Sequence, residues 1–146
     1  MATITNEEDL INEFVKAHSK KHKNAKYNTN TGNHSKGMDV EIDDGTTTIA
    51  LEAKNLSDSS RSAGEFHKIF GQILKGRKLC CNKKGTEYGF LFDNEQRETV
   101  IKYFKEIEYT DLITFFTDYD VKHIFFYDSV NETYQDCFAE IQQCIS

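Results

Sequence analysis

Proline and tryptophan are absent from this chain of 146 residues, and no apolar run is long enough to cross a bilayer. The first residues, Met1–Glu8, lack the basic and apolar segments of a secretory signal peptide. The four cysteines form no CxxC pair, and no histidine lies at a zinc-finger interval from them. We therefore expect one cytoplasmic domain over residues 1–146, with no membrane partner.

The charge is unevenly distributed along the chain. The formal net charge is −6, which by itself argues against general affinity for nucleic acid. From Lys16 to Lys84, however, fourteen Lys and Arg residues accompany seven Asp and Glu residues, whereas from Gly85 onward the counts are four and thirteen. Such asymmetry is typical of a polyanion-binding side, although a solvated surface of uneven composition gives the same pattern.

Apolar periodicity predicts alternating helices and strands. Glu7–His22 has the period of an amphipathic helix, and the polar stretch after it is a loop or an irregular strand. Met38–Asp43 and Thr46–Lys54 alternate as strands around the turn signal Asp44-Gly45. The remaining patterns predict helices over Ser62–Leu79, Glu95–Ile107, Asp111–Tyr119 and Thr133–Ile145, and buried strands over Tyr88–Phe92 and His123–Tyr127. This order predicts an α/β sandwich around a mixed sheet.

The hairpin brings chemically active side chains together. If Asp44-Gly45 is a two-residue turn, Asp39 lies opposite Ala50, and Asp39, Glu52 and Lys54 emerge on one face of the sheet. Asp39 and Glu52 are then diagonal neighbours, with Cα atoms about 7–8 Å apart. A three-residue loop with a bulge would place Asp39 on the other face.

Two carboxylates at that spacing can converge on one hard cation. Mg²⁺ prefers oxygen ligands and usually takes one or two carboxylates, so Asp39 and Glu52 are candidate metal ligands. The backbone carbonyl of Ala53 can supply another oxygen. Lys54 projects beside the same position, where its ammonium can orient an attacking water or stabilise developing negative charge.

The segments Gly37–Ile42 and Ile49–Asn55 resemble the D…(D/E)xK core of the PD-(D/E)XK nuclease superfamily, which is restriction-endonuclease-like. Met38 stands where the family has a proline. The resemblance extends roughly from Glu7 to Phe92. It implies an αβββαβ core with a mixed central sheet flanked by helices, followed here by extra C-terminal α/β elements. It also implies Mg²⁺-dependent hydrolysis of DNA phosphodiester bonds that leaves a 5′-phosphate, with Mn²⁺ as a substitute cofactor.

Family members often carry a glutamine on the helix after the ExK strand, and Gln72 matches it as a catalytic helper. Glu65, Lys68, Gln72 and Lys75 form a polar stripe on that helix. Lys68 and Lys75 are candidates for contact with the nucleic-acid backbone. Lys36, from the polar loop before the Met38–Asp43 strand, is a third candidate. An ordinary solvated helix face is the alternative interpretation of this stripe.

Glu7 is an additional candidate metal ligand, because the family often has an acid on the first helix. An acid at that position also favours the helix dipole without any catalytic role. The aromatic residues after Gly85 serve as core or as the interface of a homodimer or partner protein.

Several functions fit these features. A restriction, junction-resolving or virus or mobile-element endonuclease acting on DNA is the first hypothesis. The second is a catalytically inactive module with the nuclease fold that acts as a protein-interaction subunit. The third is an accidental D…ExK pattern, which a structure with Asp39 and Glu52 on opposite sheet faces would establish.

Overall fold

A computed structural model describes residues 4–30, 38–57, 61–79 and 85–146 of the chain. Its helices are α1 (Glu7–Lys21), α2 (Ser62–Leu79), α3 (Arg97–Lys105), α4 (Tyr109–Asp118) and α5 (Phe138–Ile145). Its strands are β1 (Lys26–Thr29), β2 (Val40–Asp43), β3 (Thr48–Lys54), β4 (Thr86–Asp93), β5 (Val121–Asp128) and β6 (Thr133–Asp136). A short 3-10 turn, Asn94–Gln96, leads into α3. The first six elements therefore follow the order αβββαβ.

The six strands form one mixed sheet in the order β1-β2-β3-β4-β5-β6. The pairs β1–β2 and β2–β3 are antiparallel, and the pairs β3–β4 and β4–β5 are parallel. At the other edge of the sheet, β6 is antiparallel to β5. The expected α/β fold, with a mixed sheet flanked by helices, is confirmed. Among the described residues, no helix combines the length and apolar character that a membrane span requires.

Apolar side chains fill both faces of the sheet. On one face, α1 packs Leu10, Ile11 and Phe14 against residues such as Leu51 and Leu91. On the other face lies a larger core to which α2, α3, α4 and α5 contribute. Its largest fully buried side chains include Phe66, Phe90, Phe92, Phe104 and Phe126. Truncating one of these rings to alanine costs about 3–5 kcal/mol. The aromatic residues after Gly85 thus supply much of this core.

The sheet curls around the end of α1. His18 of α1 is hydrogen-bonded through Nδ1 to the Tyr27 hydroxyl of β1 at 2.5 Å. The same imidazole lies with its centroid 5.1 Å from the ring of Tyr134 in β6. Because β1 and β6 are the two edge strands, one helix end joins opposite edges of the sheet.

The C-terminal prediction was wrong in part. Thr133–Asp136 is a strand rather than the first turn of a helix, and α5 begins only at Phe138. Strand β6 pairs with β5, and Asp136 ends it by accepting hydrogen bonds from the Ile124 and Phe138 amides at 3.1 and 3.2 Å. Tyr134 packs against Phe14 of α1, which supplies a tertiary contact that local periodicity does not reveal.

The predicted two-residue turn was also wrong. The connection spans residues 44–47, and Asp44 Oδ1 accepts hydrogen bonds from the Thr46 and Thr47 amides at 2.9 and 2.8 Å. Asp43 consequently pairs with Thr48, two residues beyond the predicted partner Thr46. A shift of two residues leaves every side chain on its predicted face, because strands alternate with a period of two.

Candidate active site

Asp39 and Glu52 lie on the same face of the sheet, where β2 and β3 meet. Glu41 pairs with Ala50 and Val40 with Leu51, so the next pair in this register is Asp39 with Glu52. The two residues are thus direct neighbours rather than the diagonal ones we predicted. Their carboxyl groups are close enough that each shifts the pKa of the other. The arrangement on opposite faces that would have made the D…ExK pattern accidental is not present.

The environment of this pair disfavours two negative charges. Glu52 is only 6% exposed, and burial followed by the neighbouring Asp39 raises the pKa of Glu52 to about 9. Burial also raises the pKa of Asp39, although the Ala53 amide donates a hydrogen bond to Asp39 Oδ2 at 2.9 Å. Simultaneous ionisation of both carboxyls is therefore disfavoured, as it is for other closely spaced carboxyl groups.

Ala53 presents its backbone to this pair. The N–H and C=O groups of one residue in an extended strand point to the same side, as the paired bonds of a sheet ladder require. Because the Ala53 N–H points at Asp39, its carbonyl oxygen also faces that side of β3. The Ala53 carbonyl therefore faces β2, the strand that Asp39 directly precedes.

Lys54 ends β3 beside the pair and is 9% exposed. Its Nζ lies 3.4 Å from Glu65 Oε2 and 4.0 Å from Glu7 Oε1. Lys68 donates to the other oxygen of Glu65 at 2.9 Å. That hydrogen bond, together with the charge of Lys54, holds the pKa of Glu65 below its usual range. The Lys54 ammonium is thus positioned by two helices, α1 through Glu7 and α2 through Glu65.

Glu65 is the site residue that the sequence interpretation missed. It was placed on the polar stripe of α2 without a role. The available signal was its position in the first turn of the helix that follows the strand ending at Lys54. A β–loop–α connection brings that turn back to the strand end, within reach of a long side chain.

The other predicted residues differ in their placement. Gln72 is half-buried on α2, two turns beyond Glu65, and makes no hydrogen bond to Asp39, Glu52 or Lys54. Lys75 is exposed, and Lys68 is engaged by Glu65. Lys36 lies outside the described residues.

Backbone contacts anchor the start of β2. Asn30 donates from its amide to the Asp39 carbonyl at 2.9 Å and from its side chain to the Met38 carbonyl at 2.8 Å. Met38 is fully buried and packs on the bare backbone of Gly76 in α2, where an added Cβ would lie 2.1 Å from Met38 Sδ. Asp39 is therefore held directly by Asn30. It is also held indirectly by Gly76, against which the adjacent residue Met38 packs.

A second set of contacts fixes the loop after Lys54. Gln96 accepts a hydrogen bond from the Leu56 amide at 2.6 Å and donates to the Asn55 side chain at 2.7 Å. This glutamine belongs to the 3-10 turn after β4, the strand parallel to β3. The loop leaving the site is thus tied to the neighbouring strand.

The donor set suits a hard divalent cation. Within the described part of the chain, no three or more His, Cys, Asp and Glu side chains form a metal-binding group. Mg²⁺ does not need one, because it usually takes one or two carboxylates and fills its remaining positions with water and substrate oxygens. The Asp39–Glu52 pair offers such oxygens, and a bound cation would favour the ionised carboxyls that burial disfavours.

The architecture is an α/β sandwich whose six-stranded mixed sheet carries two carboxyls and a lysine at the end of its first antiparallel hairpin. Two solved structures share this fold. One is an XisH family protein from Nostoc punctiforme, with 16% identity and a TM-score of 0.58 over 87% of this chain and 97% of the other. The second is an fdxN element excision controlling factor protein from Anabaena variabilis. It has 20% identity and a TM-score of 0.57 over 88% of this chain and 98% of the other.

These similarities establish the fold. No protein-family profile matches the sequence, and no curated protein matches it.

Proposed function

We propose that the protein is a metal-dependent endonuclease that hydrolyses DNA phosphodiester bonds, of the restriction, junction-resolving or virus or mobile-element type. The observation that carries the proposal is the pairing of half-buried Asp39 with buried Glu52 on one sheet face, with Lys54 beside them. A pair of buried acids next to a lysine is costly to the fold and is characteristic of sites that do chemistry. The name of the Anabaena variabilis protein refers to control of element excision, which agrees with DNA as the substrate.

Asp39, Glu52 and the Ala53 carbonyl would hold the cofactor, for which we propose Mg²⁺ with Mn²⁺ as a substitute. Such an ion, when bound, supplies charge neutralisation at the phosphate and a more acidic water. Glu7 has its Oε1 4.0 Å from Lys54 Nζ, so we assign it to positioning the lysine.

Lys54 would donate a hydrogen bond to the attacking water or to a phosphate oxygen as negative charge develops there. Its ammonium is held by Glu65 at 3.4 Å, and this contact limits the directions it can take. Gln72 lies on the same helix as Glu65 and would assist by binding a water or phosphate oxygen at the edge of the site.

The test is incubation of supercoiled and linear DNA with Mg²⁺ or Mn²⁺, comparing the wild type with Glu52→Ala and Lys54→Ala. Glu98→Ala and Lys102→Ala on the exposed face of α3 are charge-matched controls. We expect cleavage by the wild type and both controls and a loss of at least about a hundredfold in the site variants. Equal behaviour of all five proteins would refute the proposal.

Calorimetric titration with Mn²⁺ or Ca²⁺ separates an enzyme from the rival protein-interaction module. We expect saturable heat in the wild type and none in Asp39→Ala. Such a small catalytic domain would also act as a homodimer or with a partner protein, which sedimentation at increasing concentration and with DNA present would reveal.

A further inference from the structure

The end of α1 and the start of β1 carry exposed lysines without intervening acids. From Phe14 to Asn30 the chain has no Asp or Glu. The lysines in this stretch, all exposed, are Lys16, Lys20, Lys21, Lys23 and Lys26. We call these five residues the basic end of α1. None of them forms an ion pair within 4.0 Å with a carboxylate of the described residues.

A favourable helix dipole accounts for only part of this pattern. Cations in the last turn of a helix are stabilised by the dipole, which applies to Lys20 and Lys21. Lys23 and Lys26 lie beyond the helix, so the dipole gives no reason for them. Glu13 and Glu132 border a small hollow beside Lys16 and Lys20, whereas Asp43 is the strand partner of Lys26. The centre of the surface, Lys20 to Lys23, keeps an excess of positive charge.

The support beneath these lysines is rigid. His18 is buried and joins Tyr27 to Tyr134 across the two edges of the sheet. His22 stacks on His18 with ring centroids 4.2 Å apart and is hydrogen-bonded to the Tyr134 hydroxyl at 3.1 Å. Lys21 Nζ lies 5.0 Å from the centroid of the Tyr134 ring. These contacts hold in place the backbone that carries the lysines, so less ordering of the chain would accompany polyanion binding.

The opposite end of the same helix lies at the candidate active site, where Glu7 is 4.0 Å from Lys54 Nζ. From Glu7 to Lys21 the helix rises about 21 Å at about 1.5 Å per residue. One strand of duplex DNA advances about 3.4 Å per nucleotide. The basic end of α1 is therefore about 21 Å from Glu7, a distance that about six nucleotides of one duplex strand would span.

We propose that the basic end of α1 binds the DNA backbone about six base pairs from the cleavage position. This inference rests on the proposed function for the identity of the ligand. The site itself is poorly suited to anchor DNA, because four carboxyl groups surround Lys54 and Lys68 is engaged by Glu65. Contacts between phosphates and these distant lysines would explain how a chain of net charge −6 can bind a polyanion.

The test measures binding of a fluorescent 20-base-pair duplex by anisotropy in EDTA, from 50 to 200 mM salt. Lys20→Gln/Lys21→Gln is compared with Lys102→Gln/Lys105→Gln, since both pairs are exposed lysines in the last turn of a helix. Each lost phosphate contact lowers the slope of log K against log salt by about one. We expect the slope to fall by about two in the first variant, with at least about tenfold weaker binding at 100 mM salt, and no change in the control.

Circular dichroism of both variants establishes that they are folded. A wild-type slope in Lys20→Gln/Lys21→Gln, an equal loss in the control, or no salt-dependent binding by the wild type would overturn the inference. Because the assay contains no metal, it measures DNA binding independently of DNA cleavage. A reduced slope without cleavage in Mg²⁺ would support this DNA-binding surface while overturning the proposed reaction.

Discussion

Gly76→Ala should weaken metal binding without direct contact to the site. Alanine normally stabilises an internal helical position by about 1 kcal/mol relative to glycine. At Gly76 the new Cβ would lie 2.1 Å from Met38 Sδ and 2.9 Å from Met38 Cγ. Ordinary carbon contacts are about 3.5–4.0 Å, so the sulfur must move by roughly 1.5 Å.

Gly76→Ala should affect both the stability of the fold and the position of Asp39. Overpacking of a buried site costs about 1–3 kcal/mol, and the gain in helix propensity offsets about 1 kcal/mol of it. Net destabilisation should therefore be no more than about 2 kcal/mol. Met38 is covalently joined to Asp39, however, and a ligand displaced by its supporting residues typically binds metal about 10–100-fold more weakly.

The helix provides its own controls. Gly64 and Gly71 also lie in α2, and a Cβ at either position would meet nothing within 4 Å. Their alanine variants should be stabilised by up to about 1 kcal/mol in urea unfolding and should bind Mn²⁺ as the wild type does. Adding Met38→Ala to Gly76→Ala should recover metal affinity relative to Gly76→Ala alone. If Gly76→Ala binds Mn²⁺ as tightly as Gly71→Ala, Met38 does not position Asp39.

Three further outcomes follow from buried contacts. In thermal unfolding at neutral pH without metal, Glu52→Gln should be more stable than the wild type, because folding of the wild type must protonate a carboxyl that is ionised in the unfolded chain; Ca²⁺ should raise the melting temperature of the wild type alone. Burial opposes protonation of His123, but hydrogen bonds donated by its imidazole to two carboxylates outweigh burial and raise its pKa. This stabilisation should be complete below about pH 6.5 and disappear as pH rises through the raised pKa, so the destabilisation by His123→Gln in urea should be smaller at pH 9 than at pH 6. Gly89→Ala should cost about 3 kcal/mol, measured in the same assay, because its Cβ would lie 2.3 Å from the His123 carbonyl oxygen; a neutral result would contradict the strand packing.

Strand parity explains why the sequence sufficed to bring Asp39 and Glu52 together. The predicted register was wrong by two residues, yet a period of two leaves the same side chains on the same face. Parity cannot specify the distance between them, which depends on how Asp44 caps the amides of the turn. The prediction therefore placed Asp39 on the correct face of the sheet but opposite Ala50 instead of Glu52.

The sequence patterns could not predict contacts between elements that are distant along the chain. The strand at Thr133–Asp136 is only four residues long, too short for its alternation to be distinguished from a helix turn. Glu65 was visible as a polar helix residue, but its contact with Lys54 depends on how α2 returns along the sheet. Gly76 could not be distinguished from Gly64 and Gly71 in the same helix, because only the fold shows that Met38 approaches Gly76 alone of the three.

The distribution of charge constrains the order in which a nuclease of this kind would assemble on its substrate. Around Lys54 the carboxyl groups of Glu7, Asp39, Glu52 and Glu65 outnumber the lysines, so the site repels phosphate until a divalent cation is bound. The basic end of α1 carries the opposite charge about 21 Å away and needs no metal to attract DNA. Under the proposed function, DNA binding and chemistry would thus lie at opposite ends of one helix. Metal would then control whether bound DNA can approach the carboxyl pair, while the lysines would determine whether DNA is bound at all.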